Sequence, residues 1–421
     1  MRSFSAGLST AALATFLTGG TALAADADAF ATRLKDAMAA QSIAMTYESA
    51  RSEGDDVVLV GVKFGTGADI SDAGDLTFEN VQGSTEQGWT AERLPVEDVT
   101  GTDTSQDGGE PVTYAFRDMS VENIRIAGTA PSEPLPQFLQ ASPLFFESAS
   151  IGSIAFESGE NEVFTIENAV TTNEIGDDGT YAGDFKVESF DIDVPETSVD
   201  GSAETIRALG YESLTGSMDG RIEWALEEGT LALTPLSFDV DEVGSFDMSF
   251  ALGGYTLSLV QSLQQMSEQM EQNPENSQGA GMAMMGILGQ MNIRNIALQF
   301  EDDSLTRRLV DYYAEQMNQS PENVVDLAVQ IVQGSINQIG DEAFRTQLTD
   351  AVRTFLEDPA LIRIASEPAQ PIAVMQIVGA AMGAPQSIPS VLQLEVEANG
   401  EGSGGSGGTT TPDEPGAPTG Q

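Results

Sequence analysis

The chain of 421 residues contains no cysteine and no histidine, and its lysines are confined to Lys35, Lys63 and Lys186. Without cysteine it forms no disulfide and has no thiolate nucleophile. Without histidine it lacks the commonest general base, the commonest zinc ligand and every Ser-His or Cys-His arrangement. None of the lysines stands in an S-x-x-K spacing, and no phosphate-binding G-x-x-x-x-G-K-[ST] sequence occurs. The one G-x-S-x-G match, Gly404-Gly405-Ser406-Gly407-Gly408, sits in a low-complexity tail without the strand and helix a nucleophile elbow needs. Hydrolases and transferases of familiar type are disfavoured.

Positive charge is also scarce. Seventeen Lys and Arg face 66 Asp and Glu, for a formal net charge of -49. Such a field repels nucleic acid and anionic headgroups, so no nucleic-acid partner is expected. The acidic stretch Asp103-Thr104-Ser105-Gln106-Asp107-Gly108 resembles the start of a calcium loop. Its twelfth position is Tyr114, where such a loop needs a bidentate Glu, so the stretch reads as a plain turn. No metal and no cofactor is expected.

Long apolar runs are missing after the N-terminus. Gly279 to Gln290 comes closest but is short and broken by glycine, whereas a membrane-crossing helix needs roughly 20 residues. No transmembrane anchor is expected. The N-terminus itself has one basic residue, Arg2, then an apolar stretch from Leu8 to Leu17, then Ala22-Leu23-Ala24. These are the three parts of a secretion signal, and the expectation is cleavage after Ala24 and a soluble, periplasmic or secreted product.

Beyond the signal, Phe30, Leu34 and Met38 are spaced four apart, which predicts a helix over 25–41. From 42 to 257 the pattern is that of strands. Ile43, Met45 and Tyr47 alternate as a first short strand, Glu48 to Asp56 turns the chain, and Val57 to Phe64 reads as the apolar partner strand. Gly176-Asp177-Asp178-Gly179 predicts a hairpin between Phe164–Val170 and Phe185–Val194. Four short strands follow at Arg221–Leu226, Thr230–Leu233, Leu236–Val240 and Ser245–Leu252. A phrase recurs as Phe78-Glu79-Asn80-Val81, Val121-Glu122-Asn123-Ile124 and Ile166-Glu167-Asn168-Ala169, with an echo at Val187-Glu188-Ser189-Phe190. Apolar residues on either side of a polar pair point to a strand with a bulge or short turn.

Residues 258–399 read as helix-rich with a few strands. Leu259, Leu263, Met266 and Met270 line one helix face, and a methionine-rich run, Met282 to Leu288, comes after it. Ser304, Ser320 and Asp341 are the expected caps of three helices, the second with Pro321 at its first position. An apolar helix over Pro371–Met382 and an alternating stretch from Leu392 to Ala398 close the globular part. Residues 400–421, mostly Gly, Ser, Thr and Pro, read as a disordered tail.

The stretches Thr46-Tyr47-Glu48, Gly54 to Leu59, Val243 to Met248, Gly254-Tyr255, Phe300 to Leu305 and Pro368 to Pro371 resemble a group of uncharacterised periplasmic proteins of alphaproteobacteria. The repeated strand phrases are similar in style to β-rich repeats of AsmA-like envelope proteins, which implies a link to lipid handling. Neither resemblance carries over any functional residue.

The fold class expected is α+β: an elongated antiparallel β-region of short repeated strands, then the helix-rich segment. The function expected is that of a non-enzymatic exported envelope protein binding a lipid or other apolar ligand. The expected ligand contacts are Met266, Met270, Met282, Met284, Met285 and Leu288, because methionine adapts to irregular apolar surfaces. An ordinary packed helix explains the same residues. A periplasmic protein-interaction module with an envelope partner is the alternative. A hydrolase using Asp302 and Asp303 ranks third, since carboxylates at that place also suit a helix N-terminus.

Overall fold

The computed structural model describes residues 25–66, 69–103, 111–132, 134–159, 161–196, 201–272 and 284–400. The secretion signal, most of the calcium-like stretch, Met282 and the tail after residue 400 lie outside the described residues. The fold is α+β, a long antiparallel sheet with helices gathered mostly toward the C-terminus.

Helix α1 (Ala27–Ala39) opens the described chain, capped by the Asp26 carboxylate accepting from the Ala29 N–H. A four-stranded sheet follows, in which β3 (Asp56–Thr66) is flanked on one edge by β1 (Ala44–Thr46) and β2 (Ser49–Glu53) and on the other by β4 (Asp69–Phe78). An isolated bridge between Glu79 and Arg93 joins it to a second sheet of fifteen strands. That sheet begins with β5 (Gln82–Ser84), β6 (Gly88–Val96), β7 (Val99–Asp103), β8 (Val112–Ala127) and β9 (Leu144–Phe145). It then runs as an unbroken antiparallel series, each strand beside the next in the chain. The series is β10 (Ser148–Ser158), β11 (Asn161–Ile175), β12 (Tyr181–Asp193), β13 (Ser213–Ala225), β14 (Thr230–Val240), β15 (Gly244–Gly253) and β16 (Asn292–Asp302). The last strands, β17 (Leu361–Ser366), β18 (Ile372–Ala373) and β19 (Leu394–Ala398), come from the helix-rich segment. The sheet therefore crosses the sequence boundary near 258.

The strands are longer than the pattern implied, reaching sixteen residues in β8. Their apolar positions change parity in mid-strand, and the repeated Glu-Asn phrase supplies one physical reason. Asn80, Asn123 and Asn168 all hold left-handed backbone, with φ between 51 and 53°, as does Asp118 at 54°. Asn and Asp tolerate this conformation better than other side chains bearing a Cβ. A residue so placed in a strand skips one step of the alternation. In β8 the inward residues are Tyr114 and Phe116, then Met119 and Val121 after Asp118, then Ile124 and Ile126 after Asn123. The fourth echo, Val187 to Phe190, carries a register shift against β13 that has the same effect. Val187 and Phe190 stay on one face, where a regular strand would turn one of them over. Bulges at Leu233/Leu236 and at Ala251/Leu252 do likewise farther on. The Asn168 amide donates to the Glu188 carboxylate at 2.7 Å, and Asn80 donates to Glu92 at 3.0 Å. One face of the whole sheet thereby stays apolar.

Helices cover that face unevenly. Helix α1 seals the N-terminal end, where Phe30 meets Phe78 and Trp89 edge-on at 5.0 and 5.8 Å among Val57, Leu59, Ile124 and Ile126. Short α2 (Gln137–Ala141) stacks Phe138 on Tyr181 at 4.4 Å, while α3 (Ser202–Ala208) leads into β13. Helix α4 (Leu257–Gln272) places Leu259 and Met266 against Ile287. Then come α5 (Leu305–Met317), α6 (Pro321–Ile336) and α7 (Glu342–Glu357), of which α7 packs Phe344 and Ala351 on Val396 of β19. Helix α8 (Val374–Gly383) and α9 (Ile388–Leu392) lead into β19.

Local expectations fare unevenly. Ser320 and Asp341 cap α6 and α7 as read, and the Phe344 N–H on Asp341 holds that carboxyl below its usual range. Ser304 caps nothing with its side chain; its hydroxyl donates to the Glu242 carbonyl. The carboxylate at the start of α5 is Asp302, which accepts from the Thr306 N–H at 2.8 Å and the Thr306 hydroxyl at 2.7 Å. Residues 49–53, read as part of a turn, form β2. The two short strands on either side of Pro235 are one strand, β14, bent by its bulge.

Candidate functional site

Cross-strand pairing makes the apolar face continuous through the middle of the sheet. One row runs Phe116, Ile154, Ile166, Phe190, Gly216 and Val240 from β8 to β14. A second runs Met119, Ile151, Ala169, Val187, Met218, Phe238, Phe246 and Phe300 from β8 to β16. Gly216 leaves room in the first row: a Cβ there would lie 2.6 Å from the Phe190 ring, which stacks on Phe238 at 5.1 Å. The opposite face is polar. On it Arg221 bonds Glu223, Asp184 and Glu174, whose carboxylates hold its pKa above the usual value.

Helices reach the apolar face of the middle strands at its margins, where Phe138 of α2 stacks on Tyr181 of β12 and meets Trp224 of β13, and Phe355 of α7 meets Phe300 of β16 at 6.2 Å. The large hydrophobic side chains exposed on strands, among the described residues, are Val99, Phe185, Phe238, Phe246 and Leu298. All five belong to this one face by their pairing. Between β6 and β12, Val96, Met119, Val121, Ala149, Ile151, Ala169 and Phe185, together with Ser120, Ser150, Val170 and Thr171, border a cleft of about 330 Å³ whose exposed surface is mostly carbon.

The methionine set expected as a wall is divided. Met266 is buried against Leu259 and Ile287, and the side chain of Met270 lies outside the described residues. Met284 and Met285 are exposed, and Leu288 is half-buried, on a helical run at 284–288 just before β16. These residues stand at one end of the sheet, apart from the cleft. The residues that border the cleft were missed because their period-two signal is interrupted at Asp118 and Asn168. Reading the repeated Asn as a reset of the alternation would have found them.

Asp302, the first of the two acids offered as a hydrolase pair with Asp303, caps α5 by accepting from the Thr306 N–H and hydroxyl. No group of three or more His, Cys, Asp or Glu that could hold a metal occurs among the described residues.

A family model described as "Uncharacterized protein" matches residues 237–399, from within β14 to the residue after β19. No curated protein matches the chain.

Proposed function

We propose that this chain is a non-enzymatic, exported envelope protein that holds an acyl chain in the apolar trough of its sheet. The observation that carries the reading is the bare strip, on which all five exposed strand hydrophobics share one face. The eight strands from β8 to β16 span roughly 34 Å at the usual strand spacing. That exceeds the roughly 15 Å of a single leaflet's chains, half of a hydrocarbon core about 30 Å thick. The chemistry of the walls favours hydrocarbon over peptide. A peptide laid in the trough would bury N–H and C=O groups against carbon, at about 1–3 kcal/mol for each unpaired group. An acyl chain has none to bury. The scarcity of lysine and the absence of histidine and cysteine agree with a holding role.

Native mass spectrometry after mild extraction should find bound lipid, and delipidated protein should take up a fluorescent fatty acid with a rise in emission. Ile151→Glu, placing a charge in the cleft, should abolish the uptake. A clean apo mass together with no uptake would overturn the reading.

A further inference from the structure

One residue fastens the last strand of the sheet. Asn399 directly follows β19, which stands at the edge of the fifteen-stranded sheet beside β17. Its backbone N–H donates to the Leu361 carbonyl at 2.8 Å, and its side-chain Oδ1 accepts from the Leu361 N–H at 3.0 Å. Its Nδ2 donates to the Asp358 carbonyl at 2.6 Å. Both ends of the amide are used, and they tie the strand to the segment between α7 and β17. Farther back in β19, Val396 is buried against Phe344 and Ala351 of α7. The clasp holds the end of the edge strand whose other contacts seat α7.

The next residue is Gly400, and Asn399-Gly400 is the single Asn-Gly pair of the chain. Such a pair is chemically weak, because no glycine side chain hinders the backbone nitrogen from reaching the amide carbon of the Asn before it. Both residues are exposed, so water and hydroxide have access.

We propose that Asn399 is a site of spontaneous deamidation whose rate is set by opening of the clasp. The Gly400 nitrogen, its proton taken by hydroxide, attacks Cγ of Asn399. The bond from Cγ to Nδ2 breaks, and Nδ2 leaves as ammonia with a proton from water. Water then opens the five-membered succinimide at one carbonyl to give Asp, or at the other to give isoaspartate. Neither oxidant nor cofactor enters. While the clasp is closed the amide is engaged at both atoms, and turning it onto Gly400 breaks those bonds. The reaction therefore waits for local opening, which the end of an edge strand reaches more readily than an inner strand.

The change runs one way. Either product carries a carboxylate where the amide was, and a carboxylate has no proton to give the Asp358 carbonyl. Isoaspartate also lengthens the main chain by one carbon. The clasp cannot close as before, and the end of β19 is released.

The test is incubation of the full chain at neutral and at alkaline pH, folded and in urea, followed by peptide mapping with mass spectrometry. Asn399 should gain one mass unit, with isoaspartate and Asp separated by chromatography. The gain should be faster at the higher pH, because the attacking nitrogen must lose its proton, and about 10-fold faster in urea than in the folded chain. Val396→Ala, which loosens β19 on α7, should speed the reaction in the folded chain and leave the rate in urea unchanged. Gly400→Val should slow it in both states. A Cβ at position 400 meets nothing nearer than the Glu397 carboxylate at 3.7 Å, so this variant should keep the fold. Asp tolerates the left-handed backbone at Asn399, φ 53°, so Asn399→Asp isolates the lost donor. Amide hydrogen exchange over β19 should be about 10-fold faster in Asn399→Asp than in the parent, and unchanged in Gly400→Val. Equal rates of mass gain in the folded and urea-treated chains would overturn the proposal. So would the absence of any gain at Asn399 in urea, or exchange over β19 in Asn399→Asp that matches the parent.

Discussion

The N-terminal end of the sheet and its middle are built from the same material and end in different states. Both present aromatic and branched residues from neighbouring strands on one face. At the N-terminal end Phe30 arrives from α1 and is fully buried, and the surrounding side chains of β3, β4, β6 and β8 are buried with it. In the middle, Phe246 points from the same face and stays 42% exposed. Strand patterning decides which face is apolar. A separate segment must decide whether that face becomes core or surface.

The largest effect should come from removing the cover. Phe30→Ala deletes a ring in edge contact with Phe78 and Trp89. It should cost about 3–5 kcal/mol, as for buried aromatics generally. Urea unfolding followed by tryptophan fluorescence would read it, since Trp89 lies in the same cluster. A loss below about 1 kcal/mol would mean α1 is not what closes this end, and the comparison would fail.

A smaller effect should come from the residues that keep the face continuous. Asn168 is exposed, so only its left-handed backbone and its bond to Glu188 are at stake. Asn168→Val should cost about 1–2 kcal/mol, because a β-branched side chain strains that conformation. Asn168→Gly should fold about as well as the parent, since glycine enters it freely. Equal stability of the two variants in urea would show that the alternation is reset by something other than this backbone.

These contrasts explain what the sequence made legible. Helices with local signals were readable: Ser320 before Pro321, and Asp341 three residues before Phe344, each put an acceptor where a free N–H needed one. The α+β class was readable because strands with turns between them imply an antiparallel meander. The length of the strands was hidden, since each reset at Asp118, Asn123 and Asn168 looks like the end of one strand and the start of another. The cap of α5 was misread because Asp302 reaches over Ser304 to Thr306, a choice of geometry and not of residue type. The trough was the least legible element. Whether Phe185 and Phe246 meet a helix depends on where distant segments dock, and the alternation within their own strands is silent on that.

The bare strip itself should also yield a smaller effect on stability than the α1 end. Phe185 and Phe246 keep more than a third of their surface exposed and so have less covered area to lose than Phe30, and Phe185→Ser and Phe246→Ser should each cost about 1–2 kcal/mol. The same two changes should weaken fatty-acid uptake, because in a complex those rings would be covered by the chain they now lack. Stability and binding thus part company in the middle of the sheet, whereas at the α1 end truncation acts on stability alone. If instead Phe246→Ser unfolded the protein as severely as Phe30→Ala, the strip would be core in solution, and the two regions would differ in nothing but sequence.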